Sequence, residues 1–288
     1  MCIEMAELSE IKTYYEFILP KVLEAGKILL EAKNIKFKLK NNVDWDWVTE
    51  YDKKVESVLN KQIMEKYPGH CFIGEESQED KIQLTDAPTW IIDPIDGTEN
   101  FTRNLRLSCI SVGMTINKIQ VFGIAYNPFM DEMFTAIKGQ GAYLNGERIF
   151  VTQQDDYTQS FFNYEIGMAR VGEYFYNLYM FRLKHLIAKV MNIRSLGSSV
   201  LGLCYVACGR TDAYQCDGLH VWDAAAGTLI VREAGGYVID PTGKEFDLLK
   251  PNFLATSTKA LAEQLVAIEK EADKEMEKVT GNNGEFVP

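Results

Sequence analysis

Trp90-Ile91-Ile92-Asp93-Pro94-Ile95-Asp96-Gly97-Thr98-Glu99-Asn100-Phe101 runs from an apolar, strand-like stretch straight into a turn holding two aspartates three residues apart. Pro94 fixes φ and removes a backbone donor, and Gly97 permits a tight bend, so both carboxylates can leave the strand end into one space. Their oxygens can share a cation. Two further acidic runs suit the same chemistry. Gly74-Glu75-Glu76-Ser77 follows the short strand Cys71-Phe72-Ile73, and Trp222-Asp223-Ala224-Ala225-Ala226-Gly227 opens a predicted helix. With oxygen donors only, and no histidine or cysteine interleaved, the set favours a hard cation such as Mg²⁺ over zinc. Each run alone has a plainer reading: Asp-Pro and Asp-Gly form turns, Asp223 is a good helix N-cap, and Glu75-Glu76 suits a solvated loop. Their joint occurrence is far more specific than any one of them.

Working outward from that turn, Ile11, Tyr14, Ile18, Val22, Ala25 and Leu29 recur at three- and four-residue spacing and predict a helix from about Ser9 to Lys33. Pro20 is expected to kink it or to mark its true start. Alternation over Ile35 to Lys40 predicts a half-buried strand, and Thr49 opens a second helix to about Tyr67, stopped by Pro68-Gly69. The runs Cys71 to Ile73, Trp90 to Ile92, Ser108 to Ile116, Val121 to Tyr126 and Glu132 to Ile137 predict a mainly antiparallel sheet. Asn145-Gly146 reads as a type I′ hairpin turn. After the polar connector Thr152 to Gln159, helices at Val171 to Val190, Ser198 to Cys208 and Asp223 to Ala234 alternate with strands near Ile193, Ala213 and Val238. A last helix, Lys259 to about Lys274, precedes a fraying tail that includes Gly281 to Gly284. The expected organisation is one catalytic domain over residues 1–288, with packed halves at 9–152 and 153–274 and a flexible tail at 275–288.

Composition narrows the partners. The chain has 288 residues, 47% of them hydrophobic, with 30 basic against 41 acidic side chains and a net charge of -11. That profile belongs to a globular protein and disfavours nucleic acid or an acidic membrane as partner, while leaving room for cations that hold an anionic ligand. The first ten residues lack the apolar core of a secretory signal, and no apolar run approaches the ~18 residues of a membrane span. The expected location is cytoplasmic. The six cysteines show neither a disulfide framework nor paired C-x-x-C spacing and read as free thiols.

Taken together, Trp90 to Phe101 and Trp222 to Gly227 resemble the hallmark runs of the inositol monophosphatase family, Mg²⁺-dependent and lithium-sensitive phosphatases. Lys66-Tyr67-Pro68 with Phe72 to Ser77, Arg194 to Gly197, and Glu233 to Gly236 extend the likeness over nearly the whole chain. The resemblance implies an α/β (α+β) fold, a layered α/β/α/β/α sandwich related to fructose bisphosphatase, and a homodimer. It implies metal ligation by Glu75, Asp93, the backbone carbonyl of Ile95, Asp96 and Asp223. It further implies that Thr98 and Asp52, with Glu75, orient and deprotonate the attacking water, in-line and without a phosphoenzyme. The implied substrate contacts are Asp96, Gly97, Thr98, Met168, Ser199, Cys216 and Asp223, and the implied substrate is a small phosphate ester, first of all myo-inositol monophosphate. Rival readings are a sugar 1-phosphate, a bisphosphorylated nucleotide or fructose bisphosphate as substrate, or a non-catalytic relative that merely binds cations.

The sequence departs from the family pattern around the leaving group: Cys216 stands where a glutamate is usual, Met168 where a small serine region is usual, and Ser199 where an alanine is usual. Upstream, Lys40 to Trp47 is one residue longer than usual, and Lys40 matches a mobile-loop lysine. Other features carry bland readings. Gly139-Gln140-Gly141 is a turn, since it lacks a third glycine and precedes a hairpin. His220 reads as a structural histidine beside the site, Cys204 and Cys208 as core residues, and the aromatic run Tyr174 to Phe181 as core or dimer surface.

Overall fold

The computed structural model describes residues 5–40, 47–78 and 82–281. Helix α1 (Met5–Leu30) buries Ile11, Tyr14, Ile18, Val22, Ala25 and Leu29, the stripe that the spacing predicts. Pro20 lies within it on the exposed side, where solvent can serve the carbonyl that the missing N–H leaves. A two-stranded ribbon follows, β1 (Phe37–Leu39) antiparallel to β2 (Trp47–Thr49), with the rings of Phe37 and Trp47 stacked at 3.8 Å. Thr49 caps α2 (Glu50–Lys66), and Asp52 at the third helical position closes a capping box by accepting the Thr49 N–H at 2.7 Å.

The first sheet has seven strands in chain order: β3 (Cys71–Gly74), β4 (Thr89–Asp96), β5 (Cys109–Ile116), β6 (Ile119–Asn127), β7 (Glu132–Ile137), β8 (Gly141–Leu144) and β9 (Glu147–Ile149). Only β3 with β4 is parallel. The short helix α3 (Thr98–Thr102) leaves the end of β4. Asn145 and Gly146 both have positive φ, as the predicted turn requires.

The second half supplies β10 (Phe161–Tyr164), α4 (Glu173–Ile187), β11 (Asn192–Arg194), α5 (Ser199–Ala207), β12 (Ala213–Cys216), α6 (Val221–Glu233), β13 (Tyr237–Ile239), β14 (Phe253–Thr256) and α7 (Lys259–Thr280). Its strands form a mixed sheet in the order β11-β10-β12-β14-β13. Two of them, β10 and β14, were not expected from sequence. Each is four residues long, too short to show a period beside its polar flanks.

Stacked, the elements give five layers: α1 and α2, the seven-stranded sheet, α5 and α6, the five-stranded sheet, and α4 with α7. The expected α/β/α/β/α sandwich is the observed architecture. Several expectations need correction. Helix α1 runs Met5–Leu30 against the expected Ser9 to Lys33, and β1, expected to be half-buried, is exposed. The tail expected from residue 275 is helical to Thr280 and buries Met276, because the stripe Leu261, Leu265, Ile268, Ala272 runs on one more turn. Helix α6 starts at Val221 with His220 as its N-cap, so Asp223 is its third residue and not its cap. Helix α4 is shorter than expected at both ends. The fraying expected after Gly281 lies outside the described residues. Among the described residues no helix is long and apolar enough to cross a membrane.

Candidate metal centre and active site

Strand β4 is buried along its full length and delivers Asp93 and Asp96 to the N-terminal ends of α5 and α6. Asp93 turns back to accept the Ile95 N–H at 2.9 Å, which leaves the Ile95 carbonyl facing the Thr98 hydroxyl, also at 2.9 Å. Gly97 then takes φ +84°, and a Cβ there would meet the Leu107 carbonyl at 2.8 Å. No other residue type fits that bend without strain. Asp223 arrives from α6, which lies unusually close to the first sheet. A Cβ at Gly113 would fall 2.7 Å from the Ala225 methyl, and one at Gly123 would fall 2.6 Å from the Ala226 carbonyl. The small run Ala224 to Gly227 therefore sets the depth at which Asp223 meets β4. One oxygen from each of Asp93, Asp96 and Asp223 lies within 4.8 Å of the others.

Three carboxylates this close in a buried place repel. Burial first, then Glu75, Asp96 and Asp223, lifts the Asp93 carboxyl well above its ordinary range, and Asp223 is lifted by burial and by Glu75. Asp96 is raised only to about 6. Burial raises it, while the Ser198 hydroxyl and the Ser199 and Val200 N–H groups, at 2.9 and 3.0 Å for the two amides, hold it down. Helix α5 thus aims its N-terminus at Asp96. Glu75 stands at the edge of the cluster, close enough to Asp93 for the two carboxyls to influence each other, and is paired with Lys40 at 2.6 Å. Burial raises it to about 7 against the pull of Lys40. Lys40 also reaches Glu76 at 2.6 Å; burial opposes its charge, yet the two glutamates hold it well above the ordinary lysine range. A cluster of buried oxygen donors with this much unrelieved repulsion fits a hard divalent cation.

Beside the cluster, the Thr98 hydroxyl lies 3.2 Å from Asp52, whose other oxygen is engaged by Thr49. Burial lifts Asp52 to about 6 against those two hydrogen bonds. Of the remaining expected residues, Ser199 sits between Asp96 and Asp223, donating its N–H to the first and its hydroxyl to the carbonyl of the second at 3.1 Å. Met168 is half-buried near Gly218. Cys216, expected as a substrate contact, is deeply buried. It is 1% exposed at the end of β12 and packs in the core formed with α5 and α6. His220 has its exposed ring stacked on Trp222 and donates its backbone N–H to Asp223 at 2.7 Å.

Sequence reasoning starts the helix at Ser198 but misses that its hydroxyl donates to Asp96. It also missed Glu165, which accepts the Ser195 hydroxyl at 2.6 Å and the Gly197 N–H at 2.9 Å and so ties the loop before α5 to the end of β10. No sequence pattern marks that contact.

Residues 10–274 match the model of a family described as the inositol monophosphatase family. Among similar relatives, inositol monophosphatase 1 of Bos taurus is 42% identical over 246 residues, covering 84% of this chain and 88% of the relative. Inositol monophosphatase 3 of Solanum lycopersicum is 38% identical over 256 residues, covering 88% of this chain and 95% of the relative. Among solved structures, extragenic suppressor protein suhB from Bartonella henselae superposes with a TM-score of 0.81 at 31% identity, covering 90% of this chain and 99% of that one.

Proposed function

Since this chain belongs to the inositol monophosphatase family, we propose that it is a Mg²⁺-dependent phosphomonoesterase that hydrolyses myo-inositol monophosphate to inositol and phosphate. Phosphatase chemistry is the common ground of its relatives. The observation that carries the reading is the triad of buried Asp93 and Asp96 with partly buried Asp223, its oxygens within 4.8 Å, beside a threonine hydroxyl 3.2 Å from a buried aspartate. Glu75, Asp93, the Ile95 carbonyl, Asp96 and Asp223 would hold the ions. Bound there, Mg²⁺ supplies charge neutralisation for the phosphate and its leaving oxygen and makes water easier to deprotonate.

The chain's own groups do the rest. Thr98, between the Ile95 carbonyl and Asp52, orients the attacking water. Asp52 or Glu75 takes the proton. The amides near Gly97 and Thr98 hold phosphate oxygens. Water attacks phosphorus, the ester P–O bond breaks, and the leaving alkoxide takes up the proton that the carboxylate received from water, so that alcohol and phosphate are the products. Ser199, Met168 and the wall backed by Cys216 face the leaving group. That wall is more apolar than a glutamate would make it, which supports a second reading: a small phosphate ester with fewer or differently placed hydroxyls is handled better than inositol phosphate.

A homodimer in the cytoplasm completes the proposal. The dimer rests on the family likeness alone, and a sedimenting monomer at micromolar concentration would remove it. The decisive experiment is phosphate release across inositol monophosphate, glycerol 2-phosphate, a sugar 1-phosphate, fructose bisphosphate and a bisphosphorylated nucleotide. Activity should vanish with chelator, return with Mg²⁺, fall with Ca²⁺ and be inhibited by Li⁺. Full turnover without a divalent ion would sink the mechanism, and no turnover on any ester would favour a cation-binding relative.

A further inference from the structure

Helix α2 presents two buried carboxylates one turn apart on the same face, Asp52 at 0% and Glu56 at 4% exposure. Asp52 reaches Thr98, whereas among the described residues Glu56 hydrogen-bonds none of the proposed ligands, catalytic groups or substrate contacts. Its side chain points instead at the turn after β3. One oxygen accepts the backbone N–H of Glu76 at 2.8 Å, and the Ser77 side chain also bonds to it. The fit is tight from the other side as well: a Cβ at Gly74 would lie 2.5 Å from the Glu56 carboxyl group. Below, the turn is tied to β4 by the Glu75 N–H, which donates to the Ile92 carbonyl at 3.2 Å, and it closes on itself through the Gln78 N–H to the Gly74 carbonyl at 3.0 Å.

We propose that Glu56 is a positioning residue for the metal centre, fixing the Gly74-to-Ser77 turn so that the Glu75 side chain meets Asp93. This rests on the metal-dependent reading above. The physical case is one of accounting for donors and space. A buried carboxylate of this kind is costly unless it is hydrogen-bonded, and the bonds Glu56 accepts come from the two residues that follow Glu75. With the turn held at both its Ile92 and Glu56 ends, the Glu75 backbone has little freedom, and its carboxylate is presented to Asp93 and Lys40 without ordering cost when an ion arrives. Helix α2 then serves the site twice, through Asp52 at the water and through Glu56 at the ligand turn.

The test is Mn²⁺ binding to the purified full chain, followed by electron paramagnetic resonance of the free ion, for wild type, Glu56→Ala, Glu56→Gln, Ser77→Ala and Asp93→Asn. Glu56→Ala should weaken Mn²⁺ binding by ~10-fold or more, as loss of an outer partner of a metal ligand does. Glu56→Gln keeps an acceptor for the Glu76 N–H and an amide for the Ser77 hydroxyl, so it should return affinity to within about threefold of wild type. In turnover, saturating Mg²⁺ should recover most of the kcat lost in Glu56→Ala, separating a displaced ligand from a collapsed fold. Unchanged Mn²⁺ affinity in Glu56→Ala while Asp93→Asn loses it overturns the positioning role, as does failure of Glu56→Gln to rescue. Unchanged affinity in Asp93→Asn as well would instead overturn the metal centre. Should Glu56→Ala not fold, Ser77→Ala is read in its place, and wild-type affinity there overturns the proposal.

Discussion

Asp96 illustrates how much one residue can carry. It meets the other acidic ligands on one side and three donors of the α5 N-terminus on the other, so it is a ligand and a bolt between the two halves. An asparagine in its place must turn an NH₂ toward one of those donors. Asp96→Asn is therefore expected to lower kcat by orders of magnitude and also to cost ~1–3 kcal/mol of stability, a penalty that sequence reasoning alone does not foresee. Urea unfolding beside turnover checks both, and near wild-type turnover would remove Asp96 from the ligand set. Thr98→Ala, by contrast, deletes a hydroxyl shared by Ile95 and Asp52. It should lower kcat while leaving Mn²⁺ affinity within about threefold, since no carboxylate changes. A parallel loss of affinity would make Thr98 part of the ion's shell instead.

Among the elements, α6 decides whether the acidic residues meet at all. Its face toward the first sheet is Ala225 and Ala226, opposed by Gly113 on β5 and Gly123 on β6. That permits a backbone approach no larger pair allows. Gly123→Ala places a methyl against the Ala226 backbone, which cannot swing aside as a side chain would. The expected result is ~1–3 kcal/mol of lost stability from overpacking, together with weaker Mn²⁺ binding as Asp223 is pushed away from Asp93. Calorimetric melting and Mn²⁺ titration report the two effects. A destabilised variant with wild-type affinity would show that Asp223 adjusts independently of helix depth.

Across the whole molecule, the two halves share the α5 and α6 layer, and the far layer of α4 and α7 is joined by a buried charge cluster. Arg182 on α4 grips Asp273 on α7 through two hydrogen bonds of 2.7 and 2.8 Å and lies 3.4 Å from Asp217 and 3.5 Å from Glu269. One cation cannot neutralise three carboxylates. Burial lifts Glu269 to about 8, although Arg182 pulls it down, and Asp217 and Asp273 push it further up. A folded-state pKa above the unfolded one means that the native chain holds a proton the unfolded chain has lost. Stability from this group is full below ~4.3, falls by up to about 1.4 kcal/mol per pH unit toward 8, and levels off beyond. Glu269→Gln should flatten that part of the profile. Urea unfolding of both chains at pH 6, 7 and 8 measures it, and parallel profiles would show that Glu269 is ionised throughout.

What the sequence by itself determined is what depends on local chemistry. The helix stripes of α1, α2 and α7, the Asn145-Gly146 hairpin, the Thr49 cap and the acidic turns at Glu75, Asp93 and Asp96 are legible because spacing, capping and turn preference act over a few residues. The resemblance carried by Trp90 to Phe101 and Trp222 to Gly227 extended that reading to the five-layer fold. Tertiary structure alone decided what depends on contacts between distant segments. Strands β10 and β14 exist because neighbouring strands complete their hydrogen bonds, since four residues carry no period of their own. The bonds from Ser198 to Asp96, from Glu165 to Gly197 and from Glu56 to Glu76 join residues 20 to 102 positions apart. The burial of Cys216 was likewise settled by packing: a thiol at a strand end carries no sign of its depth, and the layers around it leave it 1% exposed.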